Sequence, residues 1–174
     1  MSAFASPDET NDILRPARVR TIVASFLVAL LLGFLPWPDL RVVPDFTALV
    51  LVFWCVRQPR RIGLGIGWVL GLVADAGNGV LLGQHALAYA VLAFLSVTFS
   101  RRILWFKPWG QAAHVLALLA IGQSIELLVR LSAGAEFPGV WLVVGPLLGA
   151  ALWPAASWLL LLDQRLPAKP QQVL

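Results

Sequence analysis

Six apolar runs follow one another along this chain, at residues 21–36, 42–56, 62–75, 80–99, 111–131 and 140–162, with only short polar stretches between them. No soluble fold is built that way. A soluble domain scatters its apolar residues at the period of a helix or strand, so that one face stays polar. The composition agrees: 59% of the 174 residues are hydrophobic and 13% are charged, against about 25% charged in a soluble domain. Mean hydropathy is +0.82. The reading is an all-α polytopic integral membrane protein with six transmembrane helices and no room for a second domain.

A membrane span needs roughly 20 residues to cross ~30 Å of hydrocarbon. The last three runs satisfy this, and the second and third are short. Each of those borrows polar residues at an end, tilts, or thins the bilayer. Pro44-Asp45 opens the second, and Asp75 to Gly79 closes the third. Acids at both ends imply that these ends face protein rather than lipid. A re-entrant third run, giving five spans, is the alternative. The first run could pass for a signal peptide, but Leu35-Pro36-Trp37-Pro38 replaces the small-residue cleavage site, so it reads as an uncleaved span.

Charge decides the orientation. Arg15, Arg18 and Arg20 precede the first span, and Arg57, Arg60 and Arg61 join the second to the third. Arg101, Arg102 and Lys107 join the fourth to the fifth, and Arg165 and Lys169 follow the last. Eleven of the 13 basic residues thus share one side, and only Arg41 and Arg130 fall near the other. The positive-inside rule then predicts both termini in the cytoplasm, which requires an even number of spans. It also explains the net charge of +4 without nucleic acid, because the basic residues lie between apolar runs rather than on one face. The expected organisation is a cytoplasmic tail at 1–17, a six-helix membrane domain at 18–165 and a second cytoplasmic tail at 166–174. Trp37 and Trp141 suit the outer interface, Trp105 and Trp109 the inner one. His114 falls near the inner end of the fifth span, and Cys55, the single cysteine, reads as packing.

With that orientation, seven polar residues from four spans collect at the outer leaflet: Asp45, Asp75, Gln84, His85, Gln123, Glu126 and Arg130. Ionisable groups within spans are costly and face a bundle interior or a wet cavity. Glu126 and Arg130 are spaced to pair at i, i+4, and Asp75 is placed to cap the turn at Asn78-Gly79. His85 suits an interhelix hydrogen bond better than a ligand role. Asp75 also ends a ladder, Gly63, Gly67, Gly71, Asp75, along one ridge of a helix. Small residues every fourth position let backbones approach where lipid gives no hydrophobic drive to association. The ladder is therefore either internal packing or a docking surface for a partner helix. Gly145 and Gly149 repeat its spacing, and Pro146 and Pro154 are expected to kink the last span.

Several of these residues, in this order, resemble the MreD family of the bacterial rod-shape machinery. The likeness rests on Pro44-Asp45, Phe53-Trp54 and Pro59, then Gly71-Leu72 with Asp75. It continues through Leu82-Gly83-Gln84-His85-Ala86-Leu87 to Trp153-Pro154, and covers about residues 18–165. The resemblance implies a non-enzymatic subunit of the elongation complex in the bacterial inner membrane, acting in lateral peptidoglycan synthesis and rod cell shape. Implied partners are MreC, RodA with its class B transpeptidase, and MreB directly or indirectly. It also implies a fold similar to the six-helix substrate-binding subunits of vitamin importers.

Two functions therefore compete. A scaffold would bind MreC through the glycine ladder or the outer polar cluster, with self-association into a homo-oligomer compatible with either. A substrate-binding subunit of a small-solute transporter would use the same cluster as a pocket. Catalysis fits poorly, since the chain has no HExxH, no GxSxG and no serine or cysteine beside a base. No cofactor or metal is expected.

Overall fold

A computed structural model describes residues 18–36 and 43–165, with the side chains of 140, 141 and 163–165 excepted. The two tails, Trp37, Arg15, Arg41 and Lys169 lie outside the described residues, as do the side chains of Trp141 and Arg165.

The described residues form six α-helices: α1 (Val19–Phe34), α2 (Phe46–Arg57), α3 (Leu64–Asn78), α4 (Gln84–Leu104), α5 (Pro108–Ser132) and α6 (Val144–Arg165). A 3-10 turn, Val140–Val143, leads into α6. Three helical stretches, Gln84–Leu104, Pro108–Ser132 and Val144–Leu162, are long and apolar enough to cross a membrane. The other three are shorter apolar helices.

The shortest helix is the most enclosed. Leu51 through Val56 are each at most 1% exposed, and α2 packs against α1, α4, α5 and α6. A helix that is apolar all round belongs inside a bundle. Its twelve residues span only about 18 Å, and because protein surrounds it, that length need not match the bilayer. The buried indoles are satisfied: Trp54 donates to Ser25 Oγ at 2.8 Å and Trp153 to Gln111 Oε1 at 3.2 Å. Cys55 is fully buried within this core, as packing requires.

The α3–α4 pair is the most extensive packing in the bundle, and glycines make it so. A Cβ at Gly67 would lie 2.6 Å from the Tyr89 carbonyl oxygen, and one at Gly71 would fall on the Ala86 backbone. The ladder is thus an internal seam at Gly67 and Gly71, while nothing approaches Gly63. Gly149 packs close to Leu119 of α5, and Gly145 has looser neighbours.

Pro146 corrects one expectation. It is the third residue of α6, where the first-turn N–H groups have no intrahelical acceptor, so a proline there removes nothing. Pro154 alone lies inside the helix.

Two left-handed glycines set the break between α3 and α4. Gly79 (φ 62°) closes α3, with its N–H bonded to the Asp75 carbonyl, and Gly83 (φ 101°) precedes α4. At the far end, Trp105 and Trp109 are 91% and 74% exposed around the α4–α5 turn. That is where an aromatic belt meets the headgroups. His114 sits there too, its Nδ1 2.9 Å from the Gly110 carbonyl and its ring against Phe106.

Candidate functional site

Asp75 is fully buried in the last turn of α3, yet it is well supplied with donors. Its Oδ2 accepts from the backbone N–H of Gly83 at 2.8 Å and of Ala86 at 3.3 Å. Its Oδ1 accepts from the His85 N–H at 2.8 Å and lies 2.8 Å from His85 Nδ1. Gly83, the residue before α4, has no side chain to cap with. The carboxylate of one helix therefore serves the open N–H groups and positive dipole end of the next. Asp75 does not cap its own turn through its side chain. Its backbone carbonyl does that, accepting from Val80 as well as Gly79.

His85 carries the arrangement onward. With Nδ1 held by Asp75, its Nε2 faces Glu126 of α5, 3.9 Å from Oε2. Asp45 at the start of α2 accepts from the Ala48 N–H at 2.9 Å, as an N-cap should, and from the Tyr89 hydroxyl of α4 at 2.7 Å. Four helices are thus tied together at one end through polar side chains.

Between them lies a cavity of about 200 Å³. Its polar wall is Asp45, Asn78, His85, Tyr89, Gln123 and Glu126, and its apolar wall includes Leu30, Gly33, Phe34, Phe46 and Ala74. A second space of about 20 Å³, room for a single water, shares Asp45, Tyr89, Gln123 and Glu126. No lysine or arginine is among the residues lining the larger cavity. Among the described residues, neither the Gln123 amide nor the Glu126 carboxylate has a hydrogen-bond partner.

The seven residues expected to converge divide accordingly. Asp45, His85, Gln123 and Glu126 line the cavity, and Asp75 anchors His85 beneath it. Gln84 is buried in the first turn of α4, outside that lining. Arg130 is exposed. The expected Glu126–Arg130 pair gives way to a His85–Glu126 contact, because Glu126 turns into the bundle while Arg130, four residues on, lies on its surface. Tyr89 and Asn78 were missed. Tyr89 had a signal: it is the sole tyrosine, one turn after His85 on the same face.

A helical bundle with an open polar cavity at one end, flanked by buried side-chain hydrogen bonds, defines a polytopic membrane protein built around an interhelix recess. A family model described as rod shape-determining protein MreD matches residues 17–161. The chain belongs to the MreD family, whose members are membrane proteins that determine rod shape. It is similar to the rod shape-determining protein MreD of Haemophilus influenzae, 27% identical over 151 residues, covering 86% of this chain and 91% of that protein. No solved structure matches it.

Proposed function

We propose that the chain is a non-enzymatic, six-span subunit of the rod elongation complex in the bacterial inner membrane, with both termini cytoplasmic. It binds MreC and helps organise RodA, its class B transpeptidase and, directly or indirectly, MreB. The observation that carries this reading is the cavity, where among the described residues Gln123 and Glu126 have no hydrogen-bond partner. The positive-inside rule turns that end of the bundle outward, toward the membrane-proximal part of a partner whose main domain is periplasmic. The glycine ladder is used within the chain at Gly67 and Gly71, so the cavity is the better receptor.

Gly33 supplies a clean test. It lines the cavity, and a Cβ there meets nothing within 4 Å, so Gly33→Phe starts its side chain in open space and adds bulk at the cavity. Co-purification of MreC in detergent is expected to fall severalfold with this variant while insertion is unchanged. Full recovery would remove the cavity from the interface.

The cavity volume favours a second reading, a small-solute site of a transporter. Native mass spectrometry that finds a stoichiometric small molecule, together with an associated ATPase, would favour it over the scaffold.

A further inference from the structure

Among the described residues, no lysine or arginine lines the cavity. The Gln123 amide and the Glu126 carboxylate have, among the described residues, no hydrogen-bond partner there, and Glu126 has a His85 ion-pair contact. The Asp45 carboxylate already accepts from Tyr89 and Ala48; among the described residues, His85 Nε2 lies 3.9 Å from Glu126, and the exposed Arg130 acts on Glu126 through charge alone. The 3.9 Å separation exceeds a hydrogen bond. A carboxylate only 13% exposed and without a hydrogen-bonded donor is a strong acceptor for an ionised group, and such charge-assisted bonds are about twice as strong as neutral ones.

Shape narrows the choice. The opposite wall, with Leu30, Phe34 and Phe46, is apolar. A volume of about 200 Å³ exceeds the roughly 150 Å³ that admits benzene in an engineered cavity. The occupant that fits both walls has an apolar stem and a cationic tip, as lysine and arginine do.

We propose that the cavity receives one long basic side chain from the membrane-proximal segment of the partner, its stem along Leu30 and Phe34 and its ammonium or guanidinium on Glu126, with Gln123 beside it. This rests on the cavity being the MreC-binding surface. Glu126 then sets specificity for charge, while the apolar wall provides contact area.

The test compares MreC recovery from detergent for the wild-type chain, Glu126→Gln, Gly33→Phe and Ser124→Ala. Ser124 is exposed on α5 and bonds its own Ala120 carbonyl, so its variant is the control. Glu126→Gln keeps size and removes charge, and thermal unfolding of the isolated chain checks that it remains folded. Recovery is expected to drop at least about tenfold with Glu126→Gln, since removing one member of a buried charge pair costs an interface heavily. Each lysine or arginine of the MreC membrane-proximal segment is then changed to glutamine. One of these changes is expected to show coupling with Glu126→Gln in a double-mutant cycle. Loss with Gly33→Phe but full recovery with Glu126→Gln would overturn the cationic occupant and leave the cavity as the interface. Full recovery with both would overturn the cavity itself. Loss with Glu126→Gln but no coupling to any basic position would also overturn the proposal.

Discussion

Asp75 is a fully buried acid whose two oxygens accept from three backbone N–H groups and face a fourth donor, His85 Nδ1. Such an anion is held by geometry rather than by a single counter-charge. Asp75→Asn preserves the shape but turns an amide NH₂ toward donors that need an acceptor. It is expected to cost about 2–3 kcal/mol, the range for a charge-assisted bond lost with a donor left buried. Thermal unfolding in detergent checks this, and an unchanged midpoint would contradict the cap. Arg130→Ala, at an exposed position, is expected to stay within about 0.5 kcal/mol of the parent. The sequence was enough to place Asp75 at the tip of a smooth ridge beside His85. It could not reveal which N–H groups the carboxylate meets, because that depends on how tightly the turn between Gly79 and Gly83 folds back. Nor could helical spacing alone separate Glu126 from Arg130, which lie close on a helical wheel although only Glu126 lines the cavity and Arg130 is exposed.

Among the elements, the α3–α4 seam rests on backbone contact, and its glycines are not interchangeable. A side chain at Gly71 would collide with the Ala86 backbone, which cannot move without lifting α4, whereas nothing approaches a Cβ at Gly65. Gly71→Leu is expected to separate the two helices and abolish a monodisperse folded peak in size-exclusion chromatography. Gly65→Leu is expected to leave that peak intact. The reverse ranking would mean that α3 presents its other face to α4. Periodicity made the ladder visible but left its partner open, since an internal helix and a foreign one need the same small residues. The length of α2 was likewise legible, and its enclosure was not. A run apolar on every side can cross lipid or fill a bundle, and only the packing of α1, α4, α5 and α6 around it decides. Pro146 was misread because the start of α6 falls later than the apolar run that contains it.

Across the whole molecule, polar side chains tie α2, α3, α4 and α5 together at one end, and exposed tryptophans ring the turn at the other. The proposed topology makes the first end periplasmic. In a Cys55→Ala background, a membrane-impermeant thiol reagent added to cells is expected to label a cysteine replacing Leu82, which is 70% exposed. It is expected to miss one replacing Trp105 until the membrane is opened. Labelling of the Trp105 position in intact cells would invert the topology and move the cavity to the cytoplasm.

The central claim is that the recess lined by α1, α2, α3, α4 and α5 holds the partner. Single cysteines crosslinked to MreC in cells test it most directly, with Asn78 at the cavity wall compared against Val69 on the exposed face of α3. Crosslinks from position 78 and none from position 69 are expected. Crosslinks from position 69 alone would place the partner on the lipid face of the bundle and contradict the claim.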